Sequence, residues 1–255
     1  MQQSIEHNWN DMATAYEEFT ECPDSYSYQI EWPCIQSLLP DLMNKHVLDL
    51  GCGTGRFTFL LEEEQPISLT GIDISANMLS LAKKKALTSH SKANFIQGDI
   101  SNLPTFLNRK FDFIFSSTTT HYISDLNKLF KNLYNALNPG GSVILSVINP
   151  VYSAQYPIKH DDKFPSDSDW TIHYLDRSER SYVQPWIEYN DQIEDYLSTS
   201  LHYTFGDYIN AIIDASFTID KIEEPLPPKE WSTKQPERYQ SFIDTPTYLI
   251  IKIHR

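Results

Sequence analysis

The sequence predicts an α/β fold, with a doubly wound and mostly parallel sheet that carries helices on both faces. Short apolar runs alternate with amphipathic stretches between about residues 46 and 149. A glycine-rich loop, residues 51–55 (GCGTG), directly follows the first apolar run. Strands that are separated by helices need crossover connections, and these connections place the strands parallel in one sheet.

Seven segments have the pattern of buried strands. They are residues 45–50, 67–73, 93–97, 111–115, 142–147, 217–223 and 247–254. Helical spacing of apolar residues predicts helices between them, at 57–64, 76–87, 126–137 and 205–215. A proline-rich loop before the last strand (Pro225, Pro227 and Pro228) is long enough to reverse the chain. We therefore expect the last strand to be antiparallel, at or near an edge of the sheet.

These patterns divide one domain into four parts. Residues 1–44 are predicted to form an N-terminal helical cap, because residues 5–19 place apolar side chains along one helix face. Residues 45–149 form the ligand-binding core. Residues 150–204 contain no glycine and are rich in aromatic residues, which indicates a lid inserted over the carboxyl edge of the sheet. Residues 205–255 supply a helix and two strands that complete the sheet.

Composition limits the classes of partner. The 255 residues are 40% hydrophobic, which suits a packed core, and the formal net charge of −14 argues against nucleic acid and anionic membranes. No apolar run is long enough to span a membrane, and residues 1–10 lack the apolar segment of a signal peptide. Cys22, Cys34 and Cys52 lack metal-ligand spacing, which indicates reduced thiols, a cytoplasmic protein and no metal site.

The glycine loop joins a strand to a helix, where ligands approach the backbone closely. A phosphate-binding P-loop would carry Lys-Ser or Lys-Thr after its last glycine, but Arg56 and Phe57 stand there. A dinucleotide fingerprint would place its third glycine at position 56. The spacing therefore disfavours both phosphate-binding interpretations, although a divergent dinucleotide site stays open.

Two acidic residues follow later strands. Asp73 ends the second strand about twenty residues beyond the glycine loop, where a carboxylate can accept hydrogen bonds from ribose hydroxyls. Asp99 follows the third strand and could bind an exocyclic amine. Because parallel strands end at one edge of the sheet, these carboxylates converge on one crevice. An adenosine with a positively charged tail is the ligand that this arrangement fits.

Five motifs carry a family resemblance. Residues 47–57 (VLDLGCGTGRF), 71–79 (GIDISANML), 97–100 (QGDI), 111–115 (FDFIF) and 137–141 (LNPGG) resemble, in order and spacing, the signatures of class I S-adenosylmethionine-dependent methyltransferases. The resemblance is strong over about 45–149 and continues more weakly to residue 225, as in small-molecule enzymes of the methyltransferase type 11/25 group. It implies a Rossmann-like, seven-stranded sheet, the cofactor S-adenosyl-L-methionine and the product S-adenosyl-L-homocysteine.

The resemblance also implies roles for individual residues. The methionine part would meet the backbone of Gly51, Cys52 and Gly53, the Asp49 side chain and the Ser116 carbonyl at its amino group, and Tyr16 over its tail. The adenosine part would meet Asp73 at the ribose, Ile74 and Met78 on the adenine faces, Asp99 at the adenine amine and the Ile100 amide at a ring nitrogen. The residues alone leave open that Asp49 and Asp99 are caps and that Ile74 and Met78 are core.

The acceptor pocket is expected between the loop at 116–122 and the insertion. His121 in that loop is a candidate base, with a cap of the helix that begins near Ser124 as the alternative. His202 is a second candidate base or substrate ligand, with a packed lid histidine as the alternative. His173 is expected on the surface. The insertion also carries aromatic residues that could close over a ligand: Tyr152, Tyr156, Trp170, Tyr174, Tyr182, Trp186, Tyr189 and Tyr196.

The leading hypothesis is methyl transfer, by in-line displacement, to oxygen or nitrogen of a small-molecule acceptor. No Asn-Pro-Pro-Tyr-type motif, often seen in enzymes that methylate bases, follows the fourth strand. Methylation of a protein or peptide and a non-catalytic cofactor-binding scaffold remain alternatives, while the glycine spacing disfavours an NAD-dependent oxidoreductase. Both a monomer and a homodimer remain open.

Overall fold

A computed structural model describes residues 2–105, 107, 109–159, 171–183 and 197–255. Its strands are β1 (His46–Leu50), β2 (Ser68–Asp73), β3 (Asn94–Gln97), β4 (Phe111–Ser117), β5 (Leu137–Ile148), β6 (Arg180–Val183), β7 (Leu197–Ser200), β8 (Thr218–Glu223) and β9 (Tyr248–His254). Its α-helices are α1 (Gln2–Thr20), α2 (Trp32–Leu38), α3 (Arg56–Glu62), α4 (Ala76–Ser89), α5 (Leu126–Ala136), α6 (Pro150–Ser153), α7 (Phe205–Asp214), α8 (Trp231–Lys234) and α9 (Pro236–Asp244).

Seven strands form one sheet in the order β3-β2-β1-β4-β5-β9-β8. Strands β1 to β5 pair in parallel, whereas β9 runs antiparallel to both of its neighbours, β5 and β8. The predicted doubly wound sheet with an antiparallel last strand is therefore confirmed. That strand is second from the edge, and the edge itself is β8.

Both faces of the sheet are covered, as a parallel sheet requires. Successive residues of β1 point to opposite faces, so Leu48 packs in a core cluster with side chains of α5 and α7. Val47 packs in a second cluster on the other face, with side chains of α2, α3 and α9. This alternation explains why the strands read as continuous apolar runs in the sequence.

The glycine loop crosses the end of β2 before α3 begins. Gly51 and Cys52 donate their N–H groups to the carbonyl oxygen of Ile72, at 2.7 and 3.0 Å. Gly51 has a φ of 69°, and a side chain built on it would have its Cβ 2.1 Å from the hydroxyl oxygen of Thr119. The turn at position 51 therefore needs glycine for its backbone conformation and for the space around it.

Helix α1 lies across the start of α4. The side-chain oxygen of Asn10 accepts hydrogen bonds from the Ser75 hydroxyl at 2.8 Å and from the Asn77 N–H at 3.1 Å. At the other end of the contact, Lys85 forms ion pairs with Glu17 and Glu21. These bonds fix the N-terminal helix at the carboxyl edge of the sheet, where the sequence predicts a ligand site.

Two regions contain structure that the sequence analysis did not assign. The segment after the proline-rich loop forms α8 and α9, because Trp231 and Phe242 bury their rings against each other and complete one face of the sheet. In the insertion, β6 and β7 form a separate antiparallel pair. The predicted aromatic contributions of Trp170, Trp186, Tyr189 and Tyr196 lie outside the described residues.

Two glycine substitutions separate backbone strain from crowding. Gly140→Ala should cost about 1 kcal/mol of unfolding free energy, because its φ is 77° and no atom of the described residues lies within 4 Å of the added carbon. Gly51→Ala should cost about 2–4 kcal/mol, because the added Cβ clashes with Thr119 in addition to the backbone strain. Urea unfolding of both variants measures the difference, and equal losses would contradict the crowding at Gly51.

Candidate active site

A cleft opens at the carboxyl ends of β1, β2 and β4, beneath α1. Its walls come from five parts of the chain: Ile5, Trp9 and Tyr16; Gly51 and Gly53; Asp73, Ile74 and Met78; Gly98, Asp99 and Ile100; and Ser117, Thr118, Thr119, Tyr122 and Ile123. Among these described wall residues there is no lysine or arginine. The cleft therefore offers carboxylates, backbone and apolar surface instead of the cations that bind phosphates.

Asp73 forms one wall of the cleft and is only 9% exposed. Its two carboxylate oxygens accept the N–H groups of Gly53 and Ser75, each at 2.8 Å. Burial raises the pKa of Asp73, and these backbone hydrogen bonds oppose the rise. The Ile74 N–H also acts on this carboxylate, so three backbone donors face about four acceptor positions, and the fixed carboxylate can still accept a hydrogen bond from a ligand.

Asp99 and Ile100 line the same cleft at the end of β3. The Asp99 carboxylate accepts the Ser101 N–H at 2.8 Å and the Asn102 side-chain amide at 3.1 Å, so it caps the helical turn that follows. This turn-capping role is the alternative that the sequence left open. A cap and a ligand contact are compatible, because a carboxylate has about four acceptor positions, and the adenine roles stay predictions.

Asp49 lies in a small cavity beside the cleft and is 2% exposed. The Thr58 hydroxyl donates to it at 2.6 Å. Burial raises the pKa of Asp49 to about 7; the Thr58 hydrogen bond opposes the rise, the charge of Asp73 adds to it, and Arg56 opposes it. The free protein therefore holds this carboxyl group at the midpoint of its titration near neutral pH.

Cys52 and Ser116, two further residues predicted to contact the cofactor, are not among the cleft walls. The Cys52 side chain packs in a core cluster with Leu79, Ala82 and Phe95, so only its backbone is suited to ligand binding. Ser116 donates its hydroxyl to the Leu50 carbonyl at 2.9 Å and is not among the cleft walls, which are formed at this strand end by residues 117–119. The predicted contact of the Ser116 carbonyl stays a prediction.

The aromatic residues of α1 separate the cleft from a second, larger cavity. Trp9 makes edge-on contacts with Tyr16 at 5.3 Å and with Tyr122 at 5.8 Å between ring centroids. These three residues and Thr118 line both spaces. Tyr16 also approaches the position of a Cβ on Gly53 to 3.9 Å, which places its ring over the glycine loop.

The second space, which we name the tyrosine cavity, has a volume of about 570 Å³, within the range of small-molecule sites. Among the described residues, seven tyrosines line it: Tyr16, Tyr26, Tyr122, Tyr152, Tyr156, Tyr182 and Tyr248. Sequence reasoning identified the insertion residues among these but missed Tyr26, Tyr248 and the lining residue Arg238, which come from distant segments without any motif. The cavity could hold a planar or amphipathic molecule with several hydroxyl partners.

His121 lines the tyrosine cavity and is 7% exposed. Among the described residues its Nδ1 has no hydrogen-bond partner. Burial lowers the pKa of His121 to about 3, so the ring is neutral across the physiological range. It does not cap α5, because Asp125 accepts the Lys128 N–H at 2.9 Å in that position.

His202 is 1% exposed and lines neither space among the described residues. Its Nε2–H donates to the Tyr174 carbonyl at 2.8 Å, and its Nδ1 accepts the Ser153 hydroxyl at 2.8 Å. Burial lowers its pKa. This geometry favours the packed lid histidine over the base. His173, expected on the surface, is half-buried, and its Nε2 lies 2.6 Å from the Thr171 hydroxyl.

Comparisons with known proteins agree with this geometry. Residues 47–141 match a family described as a methyltransferase domain. The crystal structure of an S-adenosylmethionine-dependent methyltransferase from Mesorhizobium loti is 28% identical, with a TM-score of 0.69 over 88% of this chain and 97% of that chain. An uncharacterized protein of Haemophilus influenzae is 29% identical over 94% of this chain and 92% of its own length. Malonyl-[acyl-carrier protein] O-methyltransferase of Priestia megaterium is 32% identical over 56% of this chain and 51% of its own length.

Fold, cleft and comparisons identify the chain as a class I S-adenosylmethionine-dependent methyltransferase. Its cofactor is S-adenosylmethionine, which becomes S-adenosylhomocysteine. The residues present fit this cofactor, because the cleft joins carboxylates to apolar walls and the adjoining cavity holds a further acid, Asp49. In the described ranges no group of three or more His, Cys, Asp or Glu residues could hold a metal ion. No helix in those ranges is long and apolar enough to cross a bilayer.

The pKa of Asp49 predicts proton release on cofactor binding. An ammonium group beside Asp49 would favour its charged form, so binding of S-adenosylhomocysteine at pH 7 should release about half a proton. The release should approach one proton near pH 6 and fall to about a tenth of a proton near pH 8, since Asp49 is mostly ionised there before binding. Titration calorimetry in buffers of different ionisation enthalpy measures it. No release at pH 7 would contradict this pairing, and Asp112→Asn, at the opposite edge of the sheet, should leave the release unchanged.

Proposed function

We propose that the protein transfers a methyl group to an oxygen or nitrogen of a small molecule bound in the tyrosine cavity. The observation that carries the proposal is the shared wall of Trp9, Tyr16, Thr118 and Tyr122 between the tyrosine cavity and the cleft. A cofactor in one space and an acceptor in the other would meet across that wall. The described parts of 150–204 and helix α1 would together act as the lid.

We assign the cofactor residues of the cleft as the family resemblance implies. Asp73 would hold the ribose, Asp99 and the Ile100 amide the adenine edge, and Ile74 and Met78 the adenine faces. The burial of Asp73 and the fixed positions of its oxygens support this arrangement, because hydrogen bonds to a preorganised carboxylate need little further ordering. The methionine part would lie over Gly51 and Gly53, in the direction of Asp49.

Bound S-adenosylmethionine would supply a methyl group on a sulfonium: a lone pair of the acceptor bonds to the methyl carbon in line, the carbon–sulfur bond breaks, and S-adenosylhomocysteine leaves. The chain therefore has to align the acceptor and exclude water. Trp9, Tyr16 and Tyr122 are placed to do both, since their rings contact one another above the cleft. Tyrosine hydroxyls of the cavity would orient polar groups of the acceptor.

The weak basicity of His121 limits which acceptors can react. With a pKa near 3, His121 is a weak base and takes a proton poorly from a neutral alcohol. We propose that His121 accepts a hydrogen bond through Nδ1 from an O–H or N–H group of the acceptor, and that the reacting atom is an anionic oxygen or the nitrogen of a neutral amine. The O-methyltransferase relative supports oxygen as one such atom. His202 would position the lid.

The proposal is tested with radiolabelled S-adenosylmethionine and a panel of carboxylic acids, phenols and amines. We expect label in at least one small-molecule product of the wild-type protein. Asp73→Asn should weaken S-adenosylhomocysteine binding about 10- to 100-fold, because charge-assisted hydrogen bonds to the ribose are lost.

Asp112→Asn is the matched control. This carboxylate also accepts a backbone N–H, but it lies near the amino end of β4, at the opposite end of the strands from the cleft. It should leave cofactor affinity within twofold. Wild-type binding of the cofactor without any labelled product would favour the scaffold alternative. Label that appears only in added basic peptides would favour a peptide acceptor.

The role of His121 predicts a flat pH profile. With S-adenosylmethionine saturating, so that Asp49 stays ionised, methyl transfer to an accepted carboxylic acid should show no inflection between pH 5 and 8, since the His121 ring stays neutral. His121→Gln, which keeps an acceptor oxygen, should retain more of kcat/KM than His121→Leu, and neither variant should change cofactor affinity. A wild-type inflection near pH 6 that both variants abolish would instead indicate base catalysis.

A further inference from the structure

Arg56 is a buried cation without a counter-ion in the described residues. It is the first residue of α3 and is 7% exposed. Its Nε and Nη1 have no hydrogen-bond partner in the part of the chain that the structure describes. Rings of Phe57 and Tyr28 lie 4.6 and 5.7 Å from the guanidinium carbon, which stabilises the cation but satisfies none of its donors.

The nearby acid does not pair with Arg56. Glu31 is fully buried, and its charge helps to raise the pKa of Arg56 against the effect of burial, together with Tyr16 and Tyr248. Glu31 forms no ion pair with Arg56; it accepts the Ser117 hydroxyl through Oε1, while Oε2 has no described partner. A buried guanidinium with unused donors is costly unless a ligand supplies the acceptors.

The other residues of the cavity that Arg56 lines indicate which ligand would supply these hydrogen-bond acceptors. The small cavity beside the cleft is formed by Tyr16, Asp49, Gly51, Cys52, Thr54, Arg56, Phe57, Ser117 and Thr118. Besides Arg56, the Thr54 hydroxyl in it has no described partner. One cavity thus combines an acid, a guanidinium and a hydroxyl. This donor and acceptor set matches an amino-acid zwitterion, whose ammonium and carboxylate groups are a few ångströms apart.

We propose that Arg56, assisted by the Thr54 hydroxyl, binds the α-carboxylate of the methionine part of the cofactor. The inference rests on the proposed placement of that part near Gly51 and Asp49. Arg56 also lines the tyrosine cavity, so a carboxylate of the acceptor is the competing source. The positions of Asp49 and Gly51 favour the cofactor as the source of the carboxylate, because both share the small cavity with Arg56 and do not line the tyrosine cavity.

The test compares two ligands that differ in the amino-acid tail. S-adenosylhomocysteine carries the carboxylate, whereas 5′-methylthioadenosine keeps the adenosine and lacks the tail. By calorimetric titration, Arg56→Gln should weaken S-adenosylhomocysteine binding about 10- to 100-fold and change 5′-methylthioadenosine binding less than twofold. Thr54→Val should show the same selectivity with a smaller loss. Arg238→Gln, at the other arginine of the tyrosine cavity, should change neither affinity.

Arg56→Lys keeps the charge and guards against a variant that fails to fold. It should bind 5′-methylthioadenosine normally and S-adenosylhomocysteine with an intermediate loss, because lysine lacks the planar fork. Normal S-adenosylhomocysteine affinity in the glutamine and lysine variants overturns the inference, and a raised acceptor KM in them would then assign Arg56 to the acceptor. Failure of the wild-type protein to bind either ligand would refute the proposed cofactor placement instead.

Discussion

The parallel pairing of β1 with its two neighbours is the constraint on which the site depends. Leu50 pairs with Ile72 on β2 and with Ser116 on β4, so three strands leave the sheet at one level. The Ile72 carbonyl then accepts the N–H groups of Gly51 and Cys52, which carries the loop across the end of β2. Because the sheet satisfies these loop donors, the loop holds its shape before any ligand binds.

The same edge collects charges that are unfavourable for the folded protein alone. Asp49, Asp73 and Glu31 are buried acids near one buried cation, Arg56, and none of the four forms an ion pair among the described residues. Burial raises the pKa of both aspartates because their charged forms lose hydration. A cationic ligand with a carboxylate would offset both kinds of cost. Under the proposed placement, ligand binding and fold stability would be coupled through this cluster.

Local patterns explain which parts were predictable. The glycine loop and Asp73 line the cleft, as their sequence positions suggested, because a strand, a tight turn and a strand end leave signals within a few residues; their cofactor contacts stay predictions. The tyrosine cavity was not, since Tyr26 and Tyr248 are brought together only by tertiary packing. Arg238 was unpredictable for the same reason, because its guanidinium donates to the Asp24 carbonyl at 3.0 Å across more than two hundred residues of sequence.

The two histidines show why residue type alone could not assign a base. Both were candidates of equal chemistry, yet hydrogen bonds occupy the two ring nitrogens of His202, whereas the Nδ1 of His121 has no partner among the described residues. Burial makes His121 neutral and weakly basic, so it can orient an acceptor but contributes little to ionising it. An acceptor in this cavity would therefore have to be nucleophilic without first losing a proton to His121. Under the proposed function, the site would select among small molecules by the charge state of the reacting atom as well as by shape.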